Sequence, residues 1–442
     1  MQVSETIKSG LRCIEENLQT DISAKELADM AGYSLRHYQQ LFSQAIGMPV
    51  AAYIRKRRLD KALLEIAAGR RAVDAAFDYG FNSYAGFYKA FVRTYGSSPQ
   101  TKSSKKKGLC MLTEKELRNI LGNWDIPQNL PILNVSVADG TAVSDSVRFV
   151  GEEYILKTGA RAELLRHIAV TKALAAQGFA AAVPIPTKTG ADYLEGEKIT
   201  LLTRSIPGSP LAKADRFGEA REAFGRKYGQ SIAGLHKALA AVEPQLTLAE
   251  KNILQQAAEW ALPDMKAQNL RFQMALPDSF FADCLRRFPL LAQKLPKQAI
   301  HRDPNPANIL FDGGEVSGFL DFDFSERNIR LFDPCYCATG ILSEWRGVDG
   351  IYEKWPEILR GILRGYDSVN PLSAEEKNAV FDVICAIQMI CVLYFEDKSE
   401  YKELAKTNRE MLQFIVKEEA RIRSIFQENK EAVAKRIVMY WA

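Results

Sequence analysis

Residues able to do chemistry are concentrated in one run, Ile300-His-Arg-Asp-Pro-Asn-Pro-Ala-Asn-Ile-Leu-Phe311, followed by Gly318-Phe-Leu-Asp-Phe-Asp323. His-x-Asp with an Asn five residues on, bracketed by apolar strand-like segments and then by an Asp at a strand end, is a layout suited to phosphoryl transfer. That reaction needs a carboxylate to orient an attacking hydroxyl and accept its proton, and oxygen ligands for a divalent metal that neutralises the phosphates. Asp303 suits the first role; Asn308 and Asp321 suit the second. Lys157, at the end of a strand-like run with a helix after it, stands where such a site keeps the lysine that pairs with the α/β phosphates. No GxxxxGK(S/T) run occurs, so a P-loop route to a nucleotide is absent.

Other chemistries are poorly supplied. The chain has four histidines, His37, His167, His236 and His301, too few to favour a multi-His metal site or a His-dependent hydrolase. Its seven cysteines form no CxxC pair, which points to reduced, buried thiols, Cys335 and Cys337 included. His236 reads as a satisfied core histidine and His301 as a brace for the catalytic loop. MQVSETIKSG lacks the apolar run of a signal peptide, and the apolar stretch from Val383 to Phe395 is too short to span a bilayer. A cytoplasmic protein without a membrane partner is expected.

At 442 residues, two or three domains are expected. Residues 1–107 hold 17 Lys+Arg and 10 Asp+Glu, a balance of +7, which leaves −3 of the net +4 for residues 108–442. A small basic module joined to a larger, slightly acidic one predicts an anionic partner for the first.

That first module reads as helix after helix. Ser23 is an N-cap with Glu26 three residues on, as in a capping box, and Gly32-Tyr33 makes a break. Ser34 then caps a second helix whose apolar Tyr38, Leu41, Phe42 and Ala45 share a face, giving a helix-turn-helix. The pattern recurs 48 to 50 residues later: Gly80-Phe81, Ser83, Phe87, Phe91, Gly96 and Pro99 match Gly32-Tyr33, Ser34, Tyr38, Phe42, Gly47 and Pro49. From Pro49 to about Ala68 a continuous spacer helix of roughly 28 Å is expected. Such a spacer can present two recognition helices to major-groove segments about 34 Å apart.

The run ISAKELADMAGYS, then LFSQAIGMP, RKRRLDKALLEI and AAFDYGFNSYAGFYKAFVRTYGSSP resembles the AraC/XylS family of transcription regulators. The resemblance implies a tandem helix-turn-helix binding double-stranded DNA. Arg36, Gln39 and Gln40 match its base-contacting positions, and Arg and Gln read guanine and adenine by paired hydrogen bonds. The matching second-helix positions include Tyr84, Tyr88 and Lys89, better suited to shape or phosphate than to base identity. The aromatic residues of both units are expected to pack between helices. Arg55, Lys56, Arg57 and Arg58 are either phosphate contacts or a solvated face of the spacer.

SSPQTKSSKKKG, residues 97–108, reads as a flexible basic linker. Beyond it, Val147–Val150 and Tyr154–Lys157 form a predicted hairpin, a helix runs from Arg161 to Gln177, and a strand from Lys198 to Ser205. YILKTG, GQSIAGLHKAL, IHRDPNPANILFD and VSGFLDFD together resemble the aminoglycoside phosphotransferase and choline kinase family, over about residues 125–345. The resemblance implies a fold similar to protein kinases, with ATP and Mg2+ as cofactors and a small molecule's hydroxyl as acceptor. The usual place for a glutamate partner of Lys157 falls near His167, a departure that leaves Glu163, one turn earlier, as the candidate, and a phosphate-covering loop falls near Asp139–Ser146. Arg302 departs from the glycine usual in these small-molecule kinases, and Asp333 reads as a structural hydrogen-bonding residue. Glu396, Asp397 and Glu400 are either a solvated face or a hint of a cationic ligand.

The expected architecture is multidomain. An all-α tandem helix-turn-helix domain spans 1–101, a basic linker 102–109, and an α+β protein-kinase-like two-lobed domain follows, with its N-lobe over 110–207 and C-lobe over 208–442. The expected function is a sequence-specific DNA-binding transcription regulator whose kinase-like domain binds Mg-ATP and a hydroxyl-bearing metabolite as effector or substrate. The alternative is an active ATP-dependent phosphotransferase for an amino alcohol, amino sugar or homoserine-like acceptor.

Overall fold

Helix caps and glycine turns set the N-terminal architecture. The structure, a computed structural model of the chain, describes residues 2–20, 22–46, 48–67, 70, 72–81, 87–88, 90–91, 94, 114–134, 146–344, 348–396 and 401–427. These divide into two compact units, Met1–Thr158 with Pro186–Ala191, and Gly159–Ile185 with Asp192–Ala442.

In the first unit, α1 (Gln2–Glu16) precedes α2 (Ala24–Met30), which opens on the expected capping box: Ser23 Oγ accepts the Glu26 N–H at 3.2 Å and the Glu26 carboxylate accepts the Ser23 N–H at 2.8 Å. Ser34 caps α3 (Leu35–Ile46) through the His37 N–H. The spacer helix α4 (Val50–Ala67) and α5 (Ala72–Asp78) follow. The sequence repeat reappears in the backbone. Gly32 and Gly80 both take left-handed conformations, φ 72° and 74°, and the next residue closes each helix end identically, Tyr33 N–H to the Ala28 carbonyl and Phe81 N–H to the Ala76 carbonyl. Tyr38, Phe42, Phe87 and Phe91 are fully buried in one core, with Phe42 edge-on to Tyr53 at 5.6 Å.

Arg57 of α4 is neither a phosphate contact nor solvated. It is 7 % exposed and bidentate to Glu15 of α1, at 2.5 and 2.9 Å, with Asp60 at 3.3 Å. Arg58 donates to the Thr20 carbonyl. Both arginines fasten the spacer to the N-terminal helix turn, and Arg55 is left on the exposed face.

Later in this unit, α6 (Glu114–Leu121) leads to β1 (Ile132–Asn134), β2 (Val147–Val150) and β3 (Tyr154–Gly159), paired antiparallel in that order with Val147 opposite Lys157. The hairpin lies where the β-branched and aromatic runs predict it. The linker 102–109 and the loop Asp139–Asp145 lie outside the described residues.

In the second unit, α7 (Arg161–Ala176) and β4 (Ile199–Arg204) share a small apolar cluster of Leu164, Ile168, Ile199 and Leu201. The two-residue strand β5 (Ser209–Pro210) precedes α8 (Arg221–Val242) and α9 (Asp278–Lys294). Then β6 (Lys297–Ile300), β7 (Ile309–Asp312), β8 (Glu315–Phe319) and β9 (Glu326–Ile329) form two antiparallel sheets, β5-β7-β8 and β6-β9. Next come α10 (Phe332–Leu342), α11 (Ile351–Val369), α12 (Ala374–Glu396) and α13 (Lys402–Lys417), with a short helix over Glu419–Arg423 after them.

Helices α8 and α11 approach closely enough that glycine is required on both. A Cβ on Gly229 would lie 1.9 Å from the Ile362 carbonyl oxygen, and one on Gly365 2.2 Å from that of Arg226. Helix α12 is long and apolar enough to cross a membrane by length and composition, but 72 % of its most apolar window is buried within the unit. The architecture is a helical N-terminal region followed by a kinase-like fold of mixed helix and sheet.

Candidate active site and recognition helix

Strand β6 delivers the chain to His301, which is fully buried. Its neutral tautomer follows from its neighbours: Nδ1 accepts the Asp303 N–H at 3.2 Å, so Nε2 carries the proton and donates to the Leu320 carbonyl at 2.7 Å. The imidazole thereby bridges the loop after β6 to the segment after β8. The buried Asp333 carboxylate, at the start of α10, accepts the His301 N–H at 2.8 Å, the Arg302 N–H at 3.0 Å and His236 Nε2 at 2.9 Å. His236 Nδ1 then accepts from the Tyr366 hydroxyl at 2.8 Å. His236, His301 and Asp333 therefore have the structural roles their sequence settings suggest.

Asp303 and Asn308 are brought together. One Asp303 carboxylate oxygen accepts from Asn305 Nδ2 at 2.9 Å; the other accepts from Asn308 Nδ2 at 3.1 Å, and the same amide bonds the Asp303 carbonyl at 2.9 Å. Asn305 also caps the single helical turn Pro306–Asn308 through the Ala307 N–H. The β7–β8 hairpin, turning at Gly313-Gly314, returns the chain so that the Leu320 N–H meets the Asn308 carbonyl at 2.9 Å. Asp321 follows directly, in a left-handed conformation with φ 65°.

Burial raises the Asp303 carboxyl above its ordinary value; the Asn305 hydrogen bond pulls it down, and the Asp321 charge pushes it up. Tyr336 of α10 stands near Asp303 and helps to lower its carboxyl, and burial pushes the Tyr336 phenol up. Asn305 lay within the sequence motif without a role of its own, and Tyr336 carried no local signal, standing 33 residues after Asp303.

Oxygen donors dominate the site. Because Asn308 gives its amide nitrogen to Asp303, its amide oxygen is not used in that bond, and this oxygen and the Asp321 carboxylate are hard donors of the kind that Mg2+ or Ca2+ takes. Among the described residues no three His, Cys, Asp or Glu side chains gather into a closed metal site. Two protein oxygens plus phosphate and water is the arrangement Mg2+ favours, so the donor set fits.

Other expected residues are placed as follows. Lys157 is half-buried on β3 in the first unit, and Glu163 is half-buried in the first turn of α7 in the second. His167, one turn on, is buried with Nδ1 3.3 Å from an Asp323 carboxylate oxygen. Arg36, Gln39 and Gln40 are exposed on α3, on the face opposite buried Tyr38 and Phe42. Tyr88 is 40 % exposed, while Tyr84 and Lys89 lie outside the described residues. Glu396 is neither a solvated face nor a free acid, being paired with Arg409 at 2.5 Å and Arg271 at 3.5 Å. Asp397 and Glu400 lie outside the described residues. Cys335 and Cys337 are fully buried, which pushes their thiols up and away from reactivity.

Comparison with known proteins agrees with this geometry. Residues 137–375 match the family described as "Phosphotransferase enzyme family", and residues 27–103 match a "Helix-turn-helix domain". The HTH-type transcriptional activator AarP of Providencia stuartii is 36 % identical over 97 residues, 22 % of this chain and 72 % of its own length. The homoserine kinase of Phenylobacterium zucineum (strain HLK1) is 26 % identical over 282 residues, 61 % of this chain and 80 % of its own. In fold, the chain is similar to amicoumacin kinase hAmiN in complex with AMP-PNP, Ca2+ and Ami, at 15 % identity and a TM-score of 0.50, covering 70 % of this chain and 95 % of that one.

Proposed function

Because this chain belongs to the phosphotransferase enzyme family and carries an N-terminal AraC-type helix-turn-helix region, we propose that it is a sequence-specific DNA-binding regulator whose kinase-like domain binds Mg-ATP and a hydroxyl-bearing metabolite. The DNA-binding domain is taken as 1–101, joined by the linker 102–109 to a kinase-like N-lobe over 110–207 and a C-lobe over 208–442. One observation carries the metabolite half: an Asp303 carboxylate with each oxygen held by an asparagine amide, beside Asp321. A pure effector pocket has no need of that arrangement, which favours turnover as the second reading.

In that reaction Asp303 orients the acceptor hydroxyl and takes its proton as the oxygen attacks the γ-phosphate. Asn305 and Asn308 hold the carboxylate in place, and His301 fixes the Asp303 backbone. Asn308 and Asp321 would hold Mg2+, which supplies neutralisation of phosphate charge when bound. Lys157 is assigned to the α/β phosphates, and Glu163 is assigned to the same nucleotide-binding role. The acceptor proposed first is homoserine or a similar amino alcohol, the compound named for the homoserine kinase relative. On DNA, Arg36 is assigned to a guanine edge and Gln39 and Gln40 to adenine, with Tyr84, Tyr88 and Lys89 giving contacts to backbone and groove shape.

The test gives purified full-length protein Mg-ATP with homoserine, amino alcohols and amino sugars. ADP release that is lost in Asp303→Ala establishes the enzyme. Operator binding that responds to one of these metabolites without ADP release establishes the sensor. Neither response to any of them refutes the metabolite half.

A further inference from the structure

Arg302 stands immediately before Asp303 and has a left-handed backbone, φ 77°, a conformation that a side chain with a Cβ resists. The turn it makes is needed: it lets the Arg302 N–H reach Asp333 at 3.0 Å while the next N–H, that of Asp303, turns back to His301 Nδ1 at 3.2 Å. Glycine would adopt this backbone without strain, so a long cationic side chain here requires a reason.

The side chain supplies one. Arg302 Nε lies 3.0 Å from Glu326 Oε1, and its guanidinium sits over the Phe332 ring, 4.2 Å from the centroid. Glu326 is 4 % exposed and heads β9, in register with Ile300, the last residue of β6. Its Oε1 also accepts from Asn328 Nδ2 at 2.7 Å, and Oε2 lies 3.4 Å from Lys251 Nζ. A buried carboxylate is stable only when it is paired. Arg302 therefore joins the β6–β9 pair, the start of α10 and the turn before Asp303 through one guanidinium. Phe332 stacks in turn on Tyr336, at 5.3 Å and 18°.

We propose that Arg302 is a positioning residue: its ion pair with Glu326 and its stack on Phe332 maintain the left-handed turn that aims the Asp303 carboxylate. Its kinetic consequence rests on the role given to Asp303 above; its structural consequence does not.

Full-length Arg302→Gly, Arg302→Lys and Glu326→Gln proteins test this by backbone hydrogen exchange over residues 301–303 and by steady-state kinetics with Mg-ATP and homoserine. Arg302→Gly keeps the turn accessible and removes the tether, and Arg302→Lys keeps charge without the planar fork. In Arg302→Gly and Glu326→Gln, exchange at 301–303 is expected to accelerate about 10-fold or more, with β6 and β9 amides as protected as in the parent protein. The kcat is expected to fall about 10- to 100-fold, with the KM for ATP within about twofold, and Arg302→Lys to fall between. Parental exchange at 301–303 in both tether-removing variants overturns the proposal, as does an unchanged kcat. A parent protein without turnover refutes the catalytic role of Asp303 instead, and the exchange measurement still decides whether Arg302 holds the turn.

Discussion

Helix α3 and the loop 301–308 are the two regions with the most chemistry, and they treat polar side chains in opposite ways. On α3, Arg36, Gln39 and Gln40 are exposed and make no hydrogen bond or ion pair among the described residues. In the loop, Asp303, Asn305 and Asn308 bond one another, and the Asp303 N–H donates further to His301. A side chain that reads a partner must keep its donors and acceptors for the partner and is ordered only on binding, at a cost in entropy. One that moves a proton works best when its geometry is fixed beforehand. Damage should therefore stay local on α3 and spread through neighbours in the loop.

Four measurements sharpen or break this contrast. Asp303→Ala is expected to lower kcat by about 1,000-fold, roughly 4 kcal/mol, with operator affinity unchanged; retention of a tenth of the activity would remove Asp303 from the proton-transfer step. Asn308→Ala is expected to raise the Mg2+ concentration for half-maximal rate by at least about 10-fold, since losing even an outer-shell partner has that effect. An unshifted Mg2+ titration would confine Asn308 to holding Asp303. For Arg36→Ala, titration of operator and random duplexes should show discrimination reduced by about 1–3 kcal/mol, against little change on random DNA. Equal loss on both would make Arg36 a phosphate contact.

The smallest effect concerns pH. The Asn305 hydrogen bond favours the charged Asp303, whose carboxyl burial already raises, so Asn305→Ala should raise it further and move the acid limb of the kcat/KM profile to higher pH. An acid limb displaced downward, or left in place, would show that Asp303 does not set it.

How much was legible in the sequence follows the distance over which each contact acts. The capping box, the two glycine turns, the β2–β3 hairpin and the spacing of Asp303 and Asn308 are local, so residue type and offset reveal them. Arg57 was open between two roles because its partner, Glu15, lies 42 residues away, and a charge cannot be assigned without knowing what it faces. Glu396 is opaque for the same reason, since Arg409 meets it only through the packing of α12 against α13. Tyr336 and Glu326 were invisible as members of the site because only the β6–β9 pairing and the placement of α10 bring them to the loop. Exposure of the recognition face was the easiest inference, requiring only the 3.6-residue period that buries Tyr38 and Phe42.

The glycine contact between α8 and α11 bears on how natural and laboratory variation in this protein should be interpreted. Gly225, Gly229, Gly361 and Gly365 each face the backbone of the opposite helix, where even a methyl group would collide. In a mutational scan these positions will tolerate as little as Asp303 does, yet their variants will fail by lowering the amount of folded protein. Abundance and activity must be scored separately, or a packing seam will be mistaken for a second catalytic centre.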